Sequence, residues 1–274
     1  MRILLTNDDG IFAPGLAALY REITKLGDVH IVAPDSVQSA TGHGITLHTP
    51  LLTEQVTLED GITGVAVDGR PADCVKLAVT KILPKRPQLV ISGLNSGANV
   101  GINVLYSGTV AAAIEAGFLG LPAIALSLHL RREFAPDYAG AAKYGRQIIQ
   151  QILKRGLKPG HVISVNIPGL PPGQAPTGVK VVRQCVRPWN DTYERRTDPK
   201  GRDYFWNTSV FTLRQTEDDS DVAALRERYI TVTPLQFDLT EYALLKEWNK
   251  QPWPLASGSR RKPRPGKPQP RGSK

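Results

Sequence analysis

Asp8 and Asp9 stand side by side where a short apolar run ends, in the stretch LLTNDDG at residues 4–10. Adjacent carboxylates repel, and each raises the pKa of the other. The pair therefore calls for a cation, a basic side chain, or water at an exposed turn. Two further segments are dense in oxygen donors and glycine: APDSVQSATGHGIT at 33–46 and GLNSGANVGINVLYSGT at 93–109. Two carboxylates joined by neutral hydroxyl and amide oxygens make a donor set for a hard divalent cation, Mg²⁺ or Mn²⁺. The neutral partners are a serine, Ser36 or Ser39, and an asparagine, Asn95 or Asn99. The stretch from Ser107 adds an anion site: Ser107 is a good N-cap, Gly108 permits close approach, and the helix opening at Thr109 directs free N–H groups outward. A hard cation beside a phosphate cradle is the equipment of phosphoryl chemistry. His43, in the second segment, is a candidate acid–base group or phosphate donor.

Other chemistries lack their signatures. There is no G-x-x-x-x-G-K-[ST] phosphate loop and no G-x-S-x-G nucleophile elbow. GHGITL supplies only G-x-G of a dinucleotide fingerprint, and the acids are adjacent rather than spaced as D-x-D.

The elements that must position these residues show as alternating periodicities. The runs at 3–6, 29–33, 88–92 and 123–128 are nearly all apolar, as strands covered on both faces of a parallel sheet require. Helical patterns fall between and after them, at 14–26, 73–82, 109–118 and 139–153. This alternation predicts βαβ units with right-handed crossovers: an α/β, Rossmann-like fold with a mostly parallel sheet and helices on both faces. Ligands of such sheets bind outside the carboxyl ends of the strands, so the three polar segments should meet on one edge. The second half reads as a β-rich C-terminal extension. VISVNIP, VKVVRQ, DYFWNTSVFTL and RYITVTPLQFDL look like strands of an antiparallel arm, and exposed arms of this kind pair between subunits.

The formal net charge is +9, but the last stretch, residues 256–274, carries seven Lys/Arg and no acid. The rest holds 27 basic against 25 acidic residues, a net of +2. A near-neutral body argues against a nucleic-acid-binding role, weak contact through the tail excepted. The tail, rich in Pro, Gly and Ser, is expected to be disordered. No stretch reaches the roughly 20 apolar residues that cross a bilayer. The two cysteines, Cys74 and Cys185, form no disulfide framework, which predicts free thiols in a reducing cytoplasm.

With ILLTNDDG, APDSVQSATGHGIT, SGLNSGAN, YSGTVAAAIEAG, DPKGRDYFW and YITVTPLQFDLT in order, the chain resembles the SurE family, the survival-protein 5′-nucleotidases, over roughly residues 1 to 250. The resemblance implies a phosphatase dependent on one divalent metal cation and acting on nucleoside 5′-monophosphates, with 3′-monophosphates and polyphosphate as further substrates. It implies Asp8, Asp9, Ser39 and Asn95 as metal ligands. On the reading of the residues themselves, Asp8 and Asp9 are also catalytic, and phosphate and substrate fall to Asn95, Asn99, Ser107, Gly108, Thr109 and His43. The resemblance further implies one domain over residues 1–255, with a core at about 1–130 and an oligomerisation part at about 160–255 that makes a homodimer or homotetramer. Where family members carry G-T-P-x-D-C, this chain has Gly69-Arg70-Pro71-Ala72-Asp73-Cys74. The competing reading is a regulatory protein that binds nucleotide without turnover.

Overall fold

The computed structural model describes residues 1–187, 192–208, 213 and 217–253. The basic tail lies outside them, as do residues 209–212 of the run read as a strand. The chain divides into two compact units, Met1–Phe237 and Asp238–Lys274.

The first unit is built on a nine-stranded sheet. Its central strands are β1 (Arg2–Thr6), β2 (Asp28–Pro34), β5 (Leu89–Ser96), β6 (Ala123–Leu128) and β7 (Val162–Ile167). On one side lie β3 (Thr53–Thr57) and β4 (Thr63–Val67), and on the other β8 (Gly178–Val181) and β11 (Tyr229–Leu235). The order is β3-β4-β2-β1-β5-β6-β7-β11-β8. Strands β2, β4, β1, β5, β6 and β7 run parallel; β3 is antiparallel to β4 and β11 to β7, with β8 parallel to β11. The run VISVNIP therefore belongs to the parallel core rather than to the antiparallel extension expected from the sequence. All six residues of β7 are buried, the mark of a strand covered on both faces. The β3 strand escaped the sequence reading because TEQVT is polar and largely exposed, an edge strand with little apolar signal.

Helices α1 (Pro14–Ile23) and α4 (Tyr138–Lys154) pack together on one face through Leu16, Leu19, Ile23, Ala141, Ile148 and Ile149. Helices α2 (Pro71–Leu77) and α3 (Gly108–Phe118) cover the other through Cys74, Val75, Val110, Ala113 and Ala116. This arrangement corrects the expectation of uniformly right-handed crossovers. The connections β5-α3-β6 and β6-α4-β7 step the same way across the sheet, yet their helices lie on opposite faces. They have opposite hands. The α1 connection steps the other way on α4's face and so shares the hand of α3, as does α2, which leaves β6-α4-β7 as the left-handed exception to a strong rule. A long connection at 129–137 lets the chain cross the sheet edge before α4 begins. Beneath it opens a cavity of about 260 Å³ walled by Leu128, Phe134, Tyr144, Ile167 and Pro171.

Helix α5 (Asp221–Arg226) supports the third polar segment from below. Asp221 is buried and accepts hydrogen bonds from the main-chain N–H of Gly101 (2.8 Å), Cys185 (2.9 Å) and Val222 (2.8 Å). Val100, Cys185, Val222 and Leu225 form a small apolar cluster beside it. Both cysteines are buried and unpaired. A separate antiparallel hairpin, β9 (Tyr193–Thr197) with β10 (Asp203–Asn207), exposes every one of its residues. In the second unit, α6 (Tyr242–Trp248) is likewise exposed throughout, with Trp248 edge-on to Trp253.

Close packing of α1 on β5 sets a test. A Cβ at Gly15 would lie 2.2 Å from the main-chain oxygen of Leu94. Helix propensity alone would reward Gly15→Ala by roughly 0.5–1 kcal/mol, but the clash is with backbone that cannot rotate away. Overpacking should win, lowering stability by about 1–3 kcal/mol in urea denaturation.

Candidate active site

The parallel sheet brings the three polar segments together. Strands β2, β1 and β5 are neighbours, so the loops after them open on one edge. The chain leaves β1 to the left through α1 and enters β5 from the far side through α2, which makes the β1/β5 boundary the topological switch point where such sheets bind ligands. Asn7 starts the turn there, its side-chain amide donating to the Gly10 carbonyl (2.8 Å). Gly10 has φ 94°, a left-handed conformation that favours glycine and lets the chain reverse directly after the acids.

Asp8 is 4% exposed. Its Oδ1 accepts a hydrogen bond from the Thr109 hydroxyl, and its main-chain oxygen accepts the Gln38 N–H (2.8 Å). Asp9 accepts the Ser96 N–H on Oδ2 (2.8 Å). The two acids thus clasp the second segment, the end of β5 and the start of α3. No basic side chain pairs with either acid among the described residues. Burial pushes Asp8 up to about 6, and the neighbouring Asp9 charge adds to the rise, against the opposing pull of the Thr109 hydroxyl and main-chain amide. Helix α3 starts hard against this carboxylate: a Cβ at Gly108 would lie 2.8 Å from Asp8 Cβ, 3.0 Å from Asp8 Oδ2 and 3.2 Å from the Pro71 ring.

The remaining sequence-derived candidates divide by position. Asn95 lies at the end of β5 next to Ser96; its amide nitrogen donates to Gly97 O (2.8 Å), leaving Oδ1 with no hydrogen-bond partner among the described residues. Ser39 is exposed, one residue beyond the Gln38 contact to Asp8, while Ser36 is held by Gln38 Nε2 (3.3 Å). Asn99 turns into the protein: its side chain donates to Ser127 Oγ (2.9 Å), and its main-chain N–H is held by Asn166 Oδ1 (2.8 Å). Ser107 spends its hydroxyl on capping α3 at Val110 N (3.0 Å). His43 is placed two turns along α3 from the acids, its Nε2 2.9 Å from Glu115 Oε2 and its ring stacked on Phe118. Lys76 approaches the same Glu115 at 3.5 Å.

Several residues of this framework are not among the candidates the sequence offers. Glu115 and Asp73 lie within helical patterns, where a carboxylate carries no special signal. Asn166 does carry one, as a lone amide in the apolar run VISVNI.

These residues fit a hard divalent cation. Two carboxylates, one nearly inaccessible to water, stand at the end of β1, with the Asn95 amide at the end of the neighbouring β5 and the Ser39 hydroxyl on the adjoining loop. Among the described residues no three His, Cys, Asp or Glu side chains gather to hold a metal. A cation here would therefore be held by two carboxylates and neutral oxygens, a set suited to Mg²⁺ or Mn²⁺ rather than to a soft metal.

Comparison with known proteins agrees with this geometry. The family model described as survival protein SurE matches residues 3–191. The chain is 45% identical over 247 residues to a 5′-nucleotidase SurE of Christiangramia forsetii, covering 89% of this chain and 94% of that protein. It is also 45% identical over 250 residues to a 5′-nucleotidase SurE of Carboxydothermus hydrogenoformans, covering 90% and 94%. Among solved structures, the SurE protein of Aquifex aeolicus superposes with a TM-score of 0.79 at 36% identity, covering 92% of this chain and all of that one. The motifs clustered around Asp8 and the likeness along nearly the whole chain have one explanation: this protein belongs to the SurE family.

Proposed function

We propose that this protein is a 5′-nucleotidase that needs one divalent cation, hydrolysing nucleoside 5′-monophosphates to nucleoside and phosphate. The observation that carries the reading is the Asp8–Asp9 pair at the switch point, its first member buried against the start of α3 and neither member having a basic partner among the described residues. The relatives, 5′-nucleotidases by name, supply the substrate class. A sensor without turnover has less need of two uncompensated carboxylates in an anion site.

Asp8, Asp9, Asn95 Oδ1 and Ser39 Oγ would hold the cation. When bound, it would neutralise phosphate charge and lower the pKa of a water. The protein's own groups do the rest. The Thr109 hydroxyl fixes the Asp8 carboxylate, and the Ser96 N–H fixes that of Asp9. A carboxylate oxygen of the pair accepts the proton of the attacking water. The start of α3 turns the Gly108 N–H and the positive end of the helix dipole toward a phosphate oxygen. Ser107 keeps that helix start in place. Asn99 and Asn166 hold the third segment from behind, and the His43–Glu115 pair holds the second. Extension of activity to 3′-monophosphates and polyphosphate is part of the same reading. So is a cytoplasmic location: both thiols are unpaired, and no described helix is long and apolar enough to cross a membrane.

The same reading includes a homodimer or homotetramer. The hairpin exposes Tyr193, Tyr204, Phe205 and Trp206, and the second unit exposes Leu245, Trp248 and Trp253. An isolated hairpin is marginal in water, and a second copy of the chain would cover such surfaces.

Three results would test this. Phosphate release from nucleoside 5′-monophosphates with Mg²⁺ or Mn²⁺ should vanish with EDTA and fall by at least ~10²-fold in Asp8→Asn, as loss of a group that both binds and reacts requires; full turnover in Asp8→Asn would refute the assignment. Gly108→Ala should leave the sheet folded but push the Asp8 carboxylate aside, weakening the rise in melting temperature that saturating Mn²⁺ gives the wild type, about 2.7 kcal/mol at a hundredfold excess over Kd. Sedimentation equilibrium should return a dimer or tetramer, and Trp206→Ser should shift it toward monomer.

A further inference from the structure

Arg70 is a cation without an assigned task. It stands at the N-cap of α2, its main-chain N–H held by Asp73 Oδ2 at 3.0 Å. Its guanidinium has no acidic or hydrogen-bonding partner among the described residues, whereas Lys76 and His43 nearby are both spent on Glu115. Residue 71, immediately after it, is the proline whose ring meets Gly108 opposite the Asp8 carboxylate. Arg70 is therefore one residue from the wall of the site.

The second segment makes room for it. Gly42 N donates to Tyr106 O (3.1 Å), just ahead of Ser107, and Thr46 N donates to both oxygens of Asp73 (3.1 Å each). Between those two anchors Gly44 lies on the Arg70 side chain: a Cβ there would fall 1.8 Å from one guanidinium nitrogen and 2.8 Å from Cζ. The glycine is thus the space in which the guanidinium rests, roofed by the loop that also reaches Asp8 through Gln38.

Charge balance says what such a group is for. On the reading of the site given above, two carboxylates and a phosphate dianion carry four negative charges against two on the cation. The start of α3 offsets only about half a charge. A guanidinium presents two parallel N–H donors that match a phosphate edge, and it is always protonated. The acids close to Arg70 do not compete for it: Asp73 is occupied by three main-chain contacts, and Glu115 is held by Lys76 and His43. We infer that Arg70 is a substrate-binding residue that clamps the phosphoryl group of the nucleotide, positioned by Gly44.

The inference rests on the nucleotidase reading, and the experiment separates the two. Steady-state kinetics on nucleoside 5′-monophosphates would be run beside calorimetric titration with inorganic phosphate in the presence of Mn²⁺. The proteins would be wild type, Arg70→Gln, Arg70→Lys and Gly44→Ala. A contact made equally in ground and transition states should raise KM by about 10–100-fold in Arg70→Gln with kcat within about threefold. Phosphate affinity should fall by the same factor, with the Mn²⁺-induced rise in melting temperature unchanged. Arg70→Lys should recover part of the loss, since charge returns without the fork. Gly44→Ala leaves the charge in place and removes only its seat, so it should shift KM and phosphate affinity the same way by a smaller factor. Wild-type KM and phosphate affinity in Arg70→Gln would overturn the inference and leave the nucleotidase standing. Arg70-dependent phosphate binding in a chain that hydrolyses no nucleotide would do the reverse.

Discussion

Two adjacent carboxylates with no cationic side chain to balance them among the described residues are the constraint around which this fold is arranged. Asp8 and Asp9 lie where β1 ends, and burial of the first makes its charge costly. No lysine or arginine among the described residues relieves that cost by contact. The protein distributes partial compensation among neutral donors: the hydroxyl and amide of Thr109 and the amide of Ser96. Such donors orient a carboxylate without cancelling it. On the function proposed above, that residual charge is what would hold a divalent cation.

The remaining architecture holds those donors in place. Thr109 can reach Asp8 only because Gly108 has no side chain, and α3 can start there only because Ser107 caps it. Ser96 is fixed by β5 pairing with β6 and by the Tyr138 hydroxyl at 2.9 Å, which comes from the start of α4. That contact depends on the left-handed β6-α4-β7 crossover, since a right-handed one would have carried Tyr138 to the opposite face. The C-terminal half takes part as well. Asp221 on α5 fastens Gly101, and Asn166 on β7 fastens Asn99, so the third segment is built between the parallel core and the elements added after it.

The contacts of the acids are neutral donors. Arg70 is half-buried and has no acidic partner among the described residues, while Glu115 has two cationic partners, Lys76 and His43. A histidine in a polar loop thus serves as a strut that ties the second segment to α3, two turns from the acids. On the inference drawn above, Arg70 would serve an anionic substrate without pairing with either carboxylate.

Much of this was legible in the residues. Apolar runs bounded by polar ones marked the central strands and four helices, because burial on both faces leaves a continuous hydrophobic signature. The three oxygen-rich segments could be assigned to one sheet edge because parallel strands share a direction. The motif order pointed to the family, and the donor types pointed to a hard cation. What only the folded chain decided were properties that depend on pairs of distant residues. The hand of one crossover, the placement of VISVNI in the parallel core, and the engagement of Ser107, Asn99 and His43 by structural partners all follow from which elements pack against which. The space for Arg70 is of the same kind: a glycine 26 positions away leaves a gap that no local pattern records. Local composition specifies what a residue offers, but packing decides which of its atoms are already taken.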